Sequence, residues 1–303
     1  MMLICSLLSS AFLKSDNLTN IMRQIGIVTI LSFAQGMIII TGEIDLSIGC
    51  VAGMAGTFAC IVYLNTGSLA LGVITALVLG AMSGTVNGFF VTVCKVPSFI
   101  VTLAMQSICI GIIYFYTDGN NVYDIKEFKI FGKAYVFGFL PIIIFFMLVI
   151  FIIMHILMKY TKFGRYCYAI GGNAQAARAS GIDVKKTKWT AFIISGTLAA
   201  FAGVVMMGRL NAGIPSEGLG YETDAIMATV LGGTSFTGGI GTMTGTMIGS
   251  GIIGVLNNIM NLMGVNSYIQ KVLKGILIIL AVVFDIATKN KKTAAKIMAR
   301  KDS

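Results

Sequence analysis

Residues 159–188, KYTKFGRYCYAIGGNAQAARASGIDVKKTK, lie between two long apolar runs and decide how the chain is laid out. They hold seven Lys/Arg (Lys159, Lys162, Arg165, Arg178, Lys185, Lys186 and Lys188) against one acid, Asp183. Short loops with such an excess stay on the cytoplasmic side of a membrane, so this loop sets an expected topology. Its centre, Asn173 to Gly181, reads NAQAARASG. Asn173 suits the first orphan N–H groups of a helix, the alanines propagate it, and Gly181 suits the left-handed residue that closes it. A short capped helix with an alanine face and one arginine is built to sit in a groove on another protein. It points to a transporter moved by a separate motor.

Working outward, the 303 residues are 56% hydrophobic and 11% charged, with a mean hydropathy of +0.90. An ordinary soluble domain carries about 25% charged residues, so that class is excluded. Apolar segments occur at about 22–41, 46–64, 69–93, 96–116, 134–158, 189–210, 223–237, 242–263 and 268–288. Runs of roughly 20 residues match a hydrocarbon core of about 30 Å. They do not alternate polar with apolar as barrel strands do. The expected fold is all-α, a polytopic membrane helical bundle in one domain over residues 1–303.

Counting from the basic loop, 117–133 falls outside, and 189–210 runs outward to a loop bearing Glu217, Glu222 and Asp224. Three more passes return the chain to the cytoplasm. There the tail 289–303 carries Lys289, Lys291, Lys292, Lys296, Arg300 and Lys301. Loop and tail hold 13 of the 22 basic residues, so the net charge of +10 reads as topology and lipid contact rather than nucleic-acid binding. Residues 1–13 show no basic n-region of a signal peptide, and as a helix they reach only about 20 Å. A first helix truncated in this chain is the expectation, leaving about nine full segments.

Chemistry is scarce. The six cysteines (5, 50, 60, 94, 109 and 167) form no C-x-x-C pair, and no metal site is expected. No G-x-x-x-x-G-K-[ST] motif is present, so the chain is not expected to cradle ATP or to be an enzyme. His155 reads as a packed residue near the end of a span. Two segments are broken: GGTSFTGGIG (232–241) and TGEIDLSIG (41–49), the latter placing Glu43, Asp45 and Ser47 between apolar runs. Gly241, Gly245 and Gly249 form a small-residue ridge for helix packing. Asn257, Asn258 and Asn261 make a polar stripe on one helix, either for interhelical hydrogen bonds or to line the path of a hydroxyl-rich solute. Tyr221, Thr234, Ser235 and Thr237 suit the same lining, because a neutral polyol needs neutral donors and acceptors. Lys271 and Lys274 stand at the expected outer end of the last span, snorkelling or touching solute.

The blocks TGEIDLSIG (41–49), VPSFIVTLAMQSICIGI (96–112), FGRYCYAIGGNAQAARASGIDVKKTK (163–188), GLGYETDAIMATVLGGTSFTGGIGTMTGT (218–246), GVLNNIMNLMGV (254–265) and KGILIILAVVFD (274–285) carry a resemblance, from about Asn17 to Asp285. In that order they resemble the membrane permease subunits of bacterial ATP-binding-cassette importers for ribose, xylose, galactosides and related sugars. The resemblance implies a ten-helix permease in the bacterial inner (plasma) membrane, with a cytoplasmic C-terminus, working as a homodimer. It implies a cytoplasmic ATPase with two cassettes, which binds ATP and Mg, and an extracytoplasmic sugar-binding protein. No cofactor is implied in this chain. Arg165, Asn173, Ala176, Ala177, Arg178 and Gly181 are the implied ATPase-coupling residues. Asp45, Ser47, Tyr221, Thr234, Ser235, Asn257, Asn258, Asn261 and Lys274 are the expected solute path. The family usually has two glycines before IDLS, whereas Gly42 is followed here by Glu43. Related permeases carry nucleosides or branched-chain amino acids, and an ion-coupled secondary carrier is the more distant alternative.

Overall fold

The computed structural model describes residues 12–283. Helix α1 spans Ser15–Ile40, α2 Ile48–Thr66, α3 Leu69–Thr92 and α4 Ser98–Thr117. An antiparallel hairpin pairing Tyr135–Val136 with Leu140–Pro141 leads into α5, Ile142–Tyr160. Then come α6 (Lys162–Gly172), α7 (Ala174–Ala179), α8 (Val184–Leu210), α9 (Tyr221–Leu231) and α10 (Met243–Leu262). Residues 267–283 form α11. Among the described residues, α1 to α5 and α8 are long and apolar enough to cross a membrane. The all-α membrane bundle is therefore as expected. The expected truncation falls on residues 1–13, of which 1–11 lie outside the described residues, as does the tail 289–303.

Side-chain caps set several helix starts. Asn173 Oδ1 accepts from the Gln175 and Ala176 amides, Asp183 from Lys186, and Thr242 from Gly245. At the heart of the bundle α8 packs against α3 and α2. Gly84 of α3 lies on the Phe192 carbonyl of α8, and Gly196 of α8 on the Gly80 carbonyl of α3. A Cβ at either place would overlap backbone, so only glycine allows this spacing.

The bundle has two recognisable ends. Near the start of α1, Arg23 Nη2 donates to the Tyr135 hydroxyl at 3.1 Å, marking the hairpin end. At the finish of α1, the Ile40 carbonyl accepts from Gly239 at 3.0 Å and packs on Gly171 of α6. That end carries the basic loop.

Two expectations about segments need correction. Residues 134–141 are the hairpin rather than the start of a span, because Gly138 takes φ +78 and Pro141 precedes α5. More consequentially, 223–237 is not one helix. Its helix, α9, has 11 residues and ends before Gly232 and Gly233, about 16 Å of rise and half a membrane. The other half is non-helical chain, one bridge residue followed by a run of turns. Gly213 pairs with Val122 and packs on Thr57 and Cys60; the Glu217 carbonyl then meets Gly53, and the Gly218 carbonyl meets Gly49. From Cys60 to Gly49 the chain thus descends about 16 Å alongside α2. Of the three acids expected in an outer loop, Asp224 is consequently buried, and Glu217 and Glu222 are half-buried beside α2.

Candidate transport path and coupling loop

At the basic end, α6 and α7 form a small folded unit. Ile170, Ala177 and Val184 are buried together, with Ala174 and Ile182 packed against them. Ala177 therefore faces the chain's own core, while Asn173 is committed to capping. Ala176, Arg178 and Gly181 remain exposed on α7 and its closing turn, where Gly181 takes φ +83. Arg165 sits one helix earlier on α6 and donates to the Tyr160 carbonyl at 3.3 Å. The unit is bound to the broken segment 232–242. Tyr168 Oη donates to the Gly241 carbonyl at 2.9 Å, and Gly171 packs on the Gly239 amide. Lys188, at the start of α8, forms an ion pair with Glu43 in the α1–α2 turn. The basic loop is thereby joined to both interrupted segments of the bundle.

The expected path residues separate into four places. Asp45 and Ser47 form a sealed knot at 1% exposure each: Ser47 donates to Asp45 Oδ1 through its amide at 2.9 Å and its hydroxyl at 2.6 Å. Asn87 of α3 donates to Ser47 Oγ at 3.0 Å, and Ser195 of α8 to Asp45 Oδ2 at 3.4 Å. Thr234 and Ser235 are buried in the glycine turn, where the Ser235 amide donates to Ile240. Asn258 exchanges hydrogen bonds with Asn17 of α1, at 2.9 and 3.2 Å, the interhelical use of the asparagine stripe.

The fourth place gathers Tyr221, Asn257, Asn261 and Lys274 around one cavity of about 680 Å³, together with Gln24, Thr223, Asp224 and Gln270. Lys274 Nζ straddles the Asp224 carboxylate at 2.8 and 2.9 Å, and Asn257 Nδ2 donates to Asp224 Oδ2 at 2.9 Å. Gln270 Nε2 donates to Asn261 Oδ1 at 2.9 Å. Lys274 therefore turns inward to a carboxylate rather than outward to water. The sequence placed Asp224 in an outer loop and singled out neither Gln24 nor Gln270. The available signal was Lys274 itself, since a lysine within an apolar span calls for a buried acid.

With this geometry in view, the chain matches the family described as branched-chain amino acid transport system / permease component over residues 17–282. The chain belongs to that family. The permease is 40% identical over 288 residues to the ribose import permease protein of Bacillus subtilis (strain 168), covering 94% of this chain and 89% of that one. It is 37% identical to the D-allose transport system permease protein of Escherichia coli (strain K12), covering 92% and 86%. It is 34% identical to the xylose transport system permease protein of Haemophilus influenzae (strain ATCC 51907 / DSM 11121 / KW20 / Rd), covering 93% and 92%. No solved structure matches. The permease is thus a multi-pass membrane transport component, and its interrupted segments and cavity are read in that light.

Proposed function

We propose that this permease imports a monosaccharide of the ribose class, as the membrane half of an ATP-binding-cassette importer. The observation that carries the cargo is the set of ribose, allose and xylose permeases matched across more than nine-tenths of this chain. A homodimer of the chain forms the path, and the basic end and the C-terminus face the cytoplasm. A cytoplasmic ATPase with two cassettes docks on the exposed Ala176, Arg178 and Gly181 and supplies ATP and Mg²⁺ chemistry. An extracytoplasmic binding protein delivers sugar at the hairpin end.

The mechanism is alternating access. Cassette closure moves α7, and its unit pulls on segment 232–242 through Tyr168 and, by way of Val184 at the start of α8, on the α1–α2 turn through Lys188–Glu43. Sugar enters beside Tyr221, Asn257, Asn261 and Lys274, where the Asp224–Lys274 pair cancels its own charge. A zwitterionic amino acid would instead need unmatched charges for its carboxylate and ammonium groups.

The test is uptake of labelled ribose, xylose, allose and leucine into proteoliposomes holding this chain, its ATPase and its binding protein. Ribose-class uptake requiring ATP and all three components is the expected result. Arg178→Glu is expected to abolish it by breaking ATPase docking. Preferential leucine uptake would overturn the cargo, and ion-driven uptake by this chain alone would overturn the importer.

A further inference from the structure

We infer that the basic end of the bundle holds a binding site for an anionic phospholipid, with its phosphate seated between α5, α6 and the start of α10. A cavity of about 390 Å³ opens there, lined by His155, Lys159, Arg165, Tyr168, Thr242 and Thr244 among others. Three independent observations give it this chemistry.

The first is uncompensated charge. Among the described residues the ion pairs are Lys188–Glu43 and Lys274–Asp224, so neither Lys159 nor Arg165 meets a carboxylate. The lining elements cannot supply one: no Asp or Glu occurs between residues 128 and 182 or between 225 and 284. Arg165 is held in place by the Tyr160 carbonyl, and Lys159 lies 5.3 Å from the Tyr160 ring, so both cations stand at the same elbow between α5 and α6.

The second is the start of α10, a 20-residue helix whose first residues, Met243 and Thr244, and cap, Thr242, line this cavity. Thr242 caps the Gly245 amide through its hydroxyl, and its carbonyl accepts from Thr246. The Met243 and Thr244 amides have no acceptor within the helix, and the helix dipole adds to the attraction for an anion.

The third separates a lipid from a free anion. On α5, Ile152, His155, Ile156 and Lys159 share one face, and Ile152 and Ile156 are 55% and 49% exposed. On α10, Thr244, Ile248 and Ile252 share one face, with the isoleucines 61% and 40% exposed. Two apolar stripes thus run from the cavity towards the middle of the bundle, where acyl chains would lie. Basic pockets between membrane helices at the cytoplasmic side suit anionic headgroups, and this one has the tail track as well.

The experiment uses the full chain with its ATPase, purified in neutral detergent and titrated with phosphatidylglycerol, phosphatidylcholine or inorganic phosphate. Tm is followed throughout, and native mass spectrometry counts retained lipid. Phosphatidylglycerol is expected to raise Tm by about 4 °C and to bind about tenfold more tightly than phosphatidylcholine. Lys159→Gln with Arg165→Gln is expected to erase that preference. Lys185→Gln with Lys186→Gln, at the same end but outside the cavity, is expected to keep it. Equal shifts with both lipids, or a preference surviving in the first double variant, would overturn the site. Inorganic phosphate reproducing the whole shift would overturn the lipid assignment. Should the double variant fail to fold, the single variants Lys159→Gln and Arg165→Gln are each expected to lower the preference in part, and an unchanged preference in both would overturn the site.

Discussion

Two buried carboxylates, Asp45 and Asp224, are 1% and 5% exposed, yet they sit in opposite kinds of surroundings. Asp45 is held by hydroxyls and an amide: Ser47 on its own turn and Ser195 across the bundle, with Asn87 completing the set through Ser47. Asp224 is held by a cation, Lys274, and by an amide that donates from α10, beside a large cavity. The first arrangement closes a turn between two helices and leaves nothing facing a solute. The second ties three separate elements (α9, α10 and α11) at the edge of an open space. A buried acid in a membrane bundle is thus a joint in one place and part of a passage in the other. What distinguishes them is the partner, not the depth.

The contrast breaks most sharply at the cation. Lys274→Met leaves Asp224 buried beside a single amide, and stability should fall by about 3–5 kcal/mol, read as a lowered unfolding midpoint of the purified permease. Adding Asp224→Asn should restore most of that stability, because the unpaired charge is gone. Uptake kinetics of the double variant then measure what the pair does for transport apart from folding. An equally unstable double variant would refute the ion pair as the cause.

The joint should respond differently. Asp45→Asn keeps an oxygen for the two Ser47 donors and turns its NH₂ to the Ser195 hydroxyl, which must then accept instead of donate, and the expected loss is about 1 kcal/mol. The KM for sugar should stay where it was in whatever fraction folds, since the knot is sealed from the cavity. A raised KM would move Asp45 from joint to passage and erase the comparison.

The smallest effect belongs to a third carboxylate, Glu43, whose ion pair with Lys188 is 18% and 16% exposed. Lys188→Gln should cost no more than about 1 kcal/mol, because partly hydrated pairs gain little over water. Its signature should be functional instead: sugar-stimulated ATP hydrolysis less tightly matched to uptake. Full coupling in that variant would leave the link to the Tyr168 and Gly171 contacts of the α6–α7 unit.

Much of this was legible in the sequence, and specific features explain why. The helix at Ala174–Ala179 follows from Asn173 and the alanines, a local matter of capping and propensity. The break at 232–241 follows from its glycines. The asparagine stripe was legible as a stripe but not as three different fates: Asn257 bonds Asp224, Asn258 bonds Asn17, and Asn261 bonds Gln270. Helical periodicity places residues on a face, and neighbouring faces are set by packing. Ala177 shows the same limit, since a face of alanines does not say which one turns into the chain's own core.

An all-α membrane bundle, two broken segments, the basic loop and its capped helix all follow from the order of residues alone. Each of these depends on hydropathy, charge or propensity summed over neighbours along the chain. It took the packed bundle to show that residues 211–220 descend beside α2, setting Glu217 and Glu222 against that helix and bringing Asp224 to Lys274. That descent rests on carbonyls seated against Gly49 and Gly53, contacts more than 160 residues apart in sequence. Depth in a membrane protein is a property of such distant contacts, so a residue's place along the chain does not reveal which solvent it meets.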